Sequence, residues 1–207
     1  MKNSDSFSPL SREILENKYK PLFQFFTDGI KDLYWAEKAI ETALGKNKQL
    51  ARTEELSEAL EDHEMQTRKH ISRLEKVFQA LKVEPEAKKC EAMAGILKEA
   101  EEIVSKTPEK SMTRDAVLII AAQKIEHYEI ASYGGLVQIA LTFNMDAIAD
   151  ILEKTLDEEE ETDLLLTDIA ESHINLEAAE EEDQDVAGFK ETSARSAKSG
   201  ESSKKTL

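Results

Sequence analysis

Residues 121–135 read AAQKIEHYEIASYGG. The stretch is apolar and rich in small residues, the composition of a helix covered on several faces. Glu126 and Glu129 nevertheless stand three residues apart within it. Positions i and i+3 share one side of an α-helix, so both carboxylates point the same way. Two acids on the inner face of a buried helix need partners that can hold their charge.

Working outward, this helix spans roughly 113–143, and three other long helical patterns accompany it. One covers 20–45, with Pro21 in its first turn and Gly45 at its expected stop. A second covers 53–82 and opens on Thr53 as N-cap, and a third covers 146–174 with Asp146 as N-cap. The segment 83–112 contains Pro85 and Pro108 around a helical piece near 88–106. With only 7 Gly and 4 Pro in 207 residues, helices are favoured over sheets throughout.

Each long pattern carries one stripe in steps of three and four, the spacing of a bundle seam. The first stripe runs Phe23, Phe26, Ile30, Leu33, Glu37, Ile40, Leu44, and the second Leu56, Leu60, His63, Thr67, His70, Leu74, Val77, Leu81. The third runs Ile119, Ala122, Glu126, Glu129, Tyr133, Leu136, Ala140, Phe143, and the fourth Ala149, Leu152, Leu156, Glu159, Asp163, Leu166, Ala170, His173. All four are apolar at both ends and polar in the middle. Short links make two antiparallel hairpins, and the long 83–112 connection carries the chain from one to the other. That is the ferritin-like arrangement: an all-α antiparallel four-helix bundle with an extra connector helix. Ala121, Ala131, Gly134 and Gly135 are expected to allow close approach, and the connector helix or a second subunit to cover the apolar third helix.

If Glu37, Glu126, Glu129, Glu159 and Asp163 meet at mid-height, repulsion is severe. Two charges about 4 Å apart repel by roughly 4 kcal/mol at an effective dielectric near 20. Several such pairs rival the whole stability of a domain, about 5–15 kcal/mol. No Lys or Arg lies on any of the four stripes. Two divalent ions would nearly balance the five acids, and carboxylate with imidazole is a donor set that iron and manganese accept. Protonated His63 and His70, an inward Arg73, or protonated carboxyls are the other ways to relieve the charge. His63 and His70 lie two turns apart, so one is expected to bind and the other to serve as a hydrogen-bonding neighbour. Tyr34 and Tyr133, one turn from Glu37 and Glu129, are placed to hydrogen-bond to the cluster or to pack as ordinary core tyrosines.

The blocks KDLYWAEKAI, HISRLEKVF, KKCEAMAG, AAQKIEHYEIASYGGL and LDEEEETDLLLTDIA, in this order over roughly 20–176, resemble the YciE/YciF family of bacterial ferritin-like stress proteins. The resemblance implies a dimer, a dinuclear metal centre and a link to stress responses. By position it implies Glu37, Glu126, Glu129 and Glu159 as acidic ligands, with Asp163 close by. Where the family commonly has His and then Glu three residues on, this chain has His63 and Gln66, a weaker ligand for which His70 could compensate.

The formal net charge of −16 excludes a general nucleic-acid binder and a protein docked on anionic lipid. The single Cys90 excludes an intrachain disulfide and a multi-cysteine zinc site. No stretch approaches the roughly 20 apolar residues of a membrane span. The opening MKNSDSFSPLSREILENKYK lacks the apolar core of a signal peptide, so a cytoplasmic protein is expected. Residues 1–19 read as a flexible leader, 20–176 as the bundle domain and 177–207 as a disordered charged tail. Two functions fit: a dinuclear iron or manganese protein with ferrous-iron or peroxide redox chemistry, or a non-enzymatic interaction protein whose polar layer sets helix register without metal.

Overall fold

Four interrupted stripes fold with their interruptions at one level. The computed structural model describes residues 20–181 and consists of helices, with no strand among the described residues. Helix α1 spans Lys20–Leu50, α2 Glu54–Leu81, α3 Glu91–Ser105, α4 Met112–Thr142 and α5 Asp146–Ile169. A π-helical turn, Ala170–Ile174, leads into the short α6, Asn175–Glu180. α1 pairs with α2 and α4 with α5, while α3, carried by the crossover, packs against α4 and α1.

Apolar side chains collect into two cores separated by the polar level. One holds Phe23, Phe26, Ile30, Leu74, Phe78, Phe143 and Leu152; the other holds Ile40, Leu44, Leu56, Leu60, Met93, Ile119 and Leu166. Each fully buried Leu, Ile or Phe stabilises the fold by roughly 1.5–3 kcal/mol, so both ends are held independently of the middle. α4 packs against α1, α5 and α3 and keeps one exposed stripe, running from Ile120 through His127 and Ala131 to Gln138.

The helix ends differ from the sequence expectation for physical reasons. α1 does not stop at Gly45 but runs on to Leu50. Gly45 lies within the helix, where a Cβ would make only an ordinary contact with the Glu64 carboxylate at 3.8 Å. The true end of α1 is closed by the Lys110 ammonium, which donates to the carbonyls of Gln49 (3.0 Å) and Ala51 (2.8 Å). Thr53 does occupy the N-cap of α2, but its side chain makes no capping bond. Asp115 of α4 does that work, accepting from Arg52 N (2.7 Å), Thr53 N (2.8 Å) and Thr53 Oγ1 (2.8 Å). At α5 the N-cap is Met145 rather than Asp146. The tight α4–α5 turn is made by Asn144 in the left-handed region, φ 56°.

The close approach expected at Gly134 and Gly135 is not found. Gly135 has open space around it, whereas a Cβ on Gly29 would come within 2.9 Å of Leu136, so it is α1 that needs its glycine against α4. The last helix also continues past residue 176, through the π turn to Glu180, and Glu181 then caps α4. Its carboxylate accepts from Met112 N (2.6 Å), Thr113 N (2.9 Å) and Thr113 Oγ1 (2.9 Å), and pairs with Arg52. Residues 1–19 and 182–207, where the leader and most of the tail were expected, lie outside the described residues. Among the described residues no helix is long and apolar enough to cross a membrane.

Candidate metal centre

The polar level is a cluster of six side chains from four helices. α1 supplies Glu37, α2 His63 and His70, α4 Glu126 and Glu129, and α5 Glu159. All are buried, none more than 2% exposed. Five of them form two groups, Glu37–His70–Glu159 and His63–Glu126–Glu159, and in each a donor atom from every member lies within 4.8 Å of the others; Glu129 belongs to neither.

Glu159 belongs to both groups, with one oxygen toward each. Its Oε1 is 2.9 Å from His70 Nδ1 and its Oε2 is 3.9 Å from His63 Nε2. His63 Nε2 lies 3.2 Å from Glu126 Oε1, and His70 Nδ1 lies 3.5 Å from Glu37 Oε1. Seven residues of helix rise about 10.5 Å, yet the two imidazoles tilt toward each other until their centroids are 6.5 Å apart. Both histidines enter the cluster, His70 in the group with Glu37 and His63 in the group with Glu126.

Hydrogen bonding leaves many of these atoms unmatched. Both oxygens of Glu129, Oε2 of Glu37 and Oε2 of Glu126 are buried without a hydrogen-bond partner, while His70 Nδ1 and His63 Nε2 have only the cluster's own carboxylates within reach. Unsatisfied buried groups cost about 1–3 kcal/mol each, more when charged. Burial pushes the Glu37, Glu129 and Glu159 carboxyls above their ordinary range, Glu129 furthest, since Glu37, Glu159 and Glu126 also surround it with like charge. Burial would lower the histidines, but the acids outweigh it: Glu126 and then Glu159 raise His63 to about 9, and Glu159 and Glu37 raise His70 to about 10. The site therefore attracts positive charge, whether protons or cations. Four carboxylates and two imidazoles, with the oxygens of Glu159 divided between two sets of donors, are a group that could hold metal ions. With both histidines neutral, two divalent ions would balance the four acids.

Around the cluster, Tyr133 donates its hydroxyl to Glu37 Oε1. His70 Nε2 faces Glu158 Oε2 at 3.0 Å, and Arg73 grips both Glu158 oxygens at 2.7 Å. Arg73 was weighed as an inward-swinging cation and reaches only as far as Glu158. Glu158 itself was hidden in the acidic run LDEEEETD, and its signal was Arg73, one turn after His70 on the same face. Three other candidates sit apart. Tyr34 donates to Glu75 at 2.8 Å, away from the six. Gln66 Oε1 lies 3.4 Å from His63 Nδ1, a neighbour of the cluster's imidazole. Asp163 is half-buried one turn beyond Glu159, accepting from Gln123 at 3.1 Å with His127 at 3.4 Å, and the structure does not bring it into the cluster.

Known proteins carry the same fold and blocks. Protein YciF of Escherichia coli is 41% identical over 162 residues, spanning 77% of this chain and 96% of that protein. The crystal structure of the E. coli stress protein YciF superposes with a TM-score of 0.70 at 40% identity, covering 74% of this chain and 97% of that one. YcfI from Rhodopseudomonas palustris gives 0.69 at 32% identity, covering 81% and 98%. A protein from Xanthomonas campestris, at 0.56 and 21% identity, shares the fold alone. The domain of unknown function DUF892 matches residues 22–179. This bundle, with its buried layer of acids and imidazoles, therefore belongs to the DUF892 family, that of YciF.

Proposed function

We propose that the chain is a dinuclear metal protein of the stress response, binding iron or manganese at the carboxylate–histidine layer. The observation that carries this reading is Glu159, whose two oxygens face two separate donor groups, Oε1 lying 2.9 Å from His70 Nδ1 and Oε2 3.9 Å from His63 Nε2. Glu37 and His70 would hold one ion and His63 and Glu126 the other, with Glu159 between them. Glu129, with both oxygens unpartnered beside Glu37, Glu159 and Glu126, would be a further carboxylate available to the ions. Such ions, when bound, supply one-electron redox capacity toward ferrous iron or peroxide.

The chain's own residues prepare that chemistry. The apolar cores above and below exclude bulk water, which strengthens every charge interaction at the layer. Tyr133 fixes one Glu37 oxygen and leaves the other free. The Arg73–Glu158 pair holds His70 through Nε2, presenting Nδ1 inward. We also read the protein as a homodimer, because α4 keeps the large apolar side chains of Ile120 and Leu141 on its exposed face.

Metal analysis of protein purified without added metal or chelator tests the centre. About two iron or manganese ions per chain are expected, and none in a Glu126→Ala/Glu129→Ala variant. Metal-free protein that stays folded and takes up no ion on reconstitution would favour the structural reading, with protons satisfying the layer.

A further inference from the structure

A cleft of about 170 Å³ opens between α2 and α5, and His63 of the cluster forms part of its lining. Asp62 and Glu161 stand exposed at its rim. Deeper in, Gln66 Oε1 is 3.4 Å from both Thr162 Oγ1 and His63 Nδ1. His63 is 2% exposed, and its Nε2 turns to the cluster side, 3.2 Å from Glu126 Oε1. The wider clefts between α1 and α2 and between α1 and α3 are lined by none of the six cluster residues. A path thus runs from exposed carboxylates, past neutral oxygens, to the buried imidazole of the cluster.

We propose that this cleft is the entry port through which a hydrated divalent cation reaches the cluster. The inference rests on the metal-centre reading above. Asp62 and Glu161 concentrate cations at the rim, as like-charged rims do when they focus a field. Gln66 and Thr162 replace part of the hydration shell with neutral oxygens, which pass a cation inward without trapping it. Only at His63, Glu126 and Glu159 does the cation meet imidazole and carboxylate together. The volume sets the chemical class admitted: it holds a few waters and falls below the roughly 300–1,000 Å³ of pockets that enclose drug-sized ligands. Reactants using this route are small and inorganic, such as aquo cations and peroxide, rather than organic substrates.

The test is the rate of cobalt(II) loading of the full-length apoprotein, followed by visible absorption in a stopped-flow instrument. An Asp62→Asn/Glu161→Gln variant changes only exposed residues. It is expected to load roughly 3- to 10-fold more slowly at low salt, and to reach the wild-type final stoichiometry. The difference should close near 1 M salt, where the screening length is about 3 Å. A control of equal charge, Glu101→Gln/Glu109→Gln at the α1–α3 cleft, should load at the wild-type rate. Wild-type stoichiometry with equal rates in all three proteins overturns the port and leaves the centre standing. Slowing of the control as much as the port variant also overturns it, since net charge alone would then set the rate. Wild-type protein that binds no cobalt at equilibrium overturns the centre and the port together.

Discussion

Glu158 is where one residue's surroundings decide another's role. It is held by Arg73 on one side and by His70 on the other, and despite partial burial these partners lower its carboxyl to about 2. A carboxylate on the outer nitrogen of a ligating imidazole fixes the ring and raises its basicity. Glu158→Gln should therefore keep the fold but weaken metal binding about 10- to 100-fold, measured by competition with a coloured chelator. Wild-type affinity in that variant would show that His70 needs no such support. The six cluster residues were legible in the sequence because a period of three and four residues projects onto one face, and a break in an apolar stripe stands out. Asp163 was drawn in by the same rule. Four residues advance a helix about 6 Å and rotate it some 40° past a full turn, enough to leave a layer one turn deep and meet Gln123 instead. Glu158 was invisible for the converse reason: only its partners, contributed by another helix, separate it from the solvated acids around it.

At the level of the element, the start and end residues were less legible than the helices themselves. Local signals suggested Gly45 as a stop and Thr53 as a self-sufficient cap, but both positions are decided by α4 and the residues before it. Lys110 closes α1 and Asp115 opens α2. Asp115→Ala would leave two backbone N–H groups without their acceptor and should cost about 2–3 kcal/mol, read from urea denaturation. A loss below 0.5 kcal/mol would mean that water replaces the carboxylate. Glu181 plays the same part for α4. Burial alone would raise its carboxyl, but the donors of Met112 and Thr113, with Arg52 nearby, outweigh this and hold it below its ordinary value. A carboxyl lowered by folding stabilises above its unfolded pKa, about 4.3, and loses that contribution as pH falls through the folded value. The melting-temperature gap between wild type and Glu181→Gln should accordingly be widest near neutrality and shrink below about pH 4. A gap that is constant with pH would remove the ionised carboxylate from the account.

Across the whole molecule, the two ends of the bundle are closed in different ways. At one end Lys110, Asp115 and Glu181 tie the ends of α1 and α6 to the starts of α2 and α4 with charged side chains. At the other, Phe23 stacks edge-on against Phe143 at 5.8 Å, and the α2 and α4 termini are finished by backbone bonds such as Val83 N to Phe78 O and Met145 N to Ala140 O. Charge contacts weaken with salt and acid, whereas aromatic burial has no charge to screen or titrate. The protein should therefore open from one side. In hydrogen exchange at pH 4 and high salt, amides of 52–57 and 112–116 would lose protection before those of 74–81 and 137–143. Reversal of that order would place the weaker end at the phenylalanines. Such a gradient makes the bundle behave like a clasp knife, hinged at its oily end and released at its ionic one.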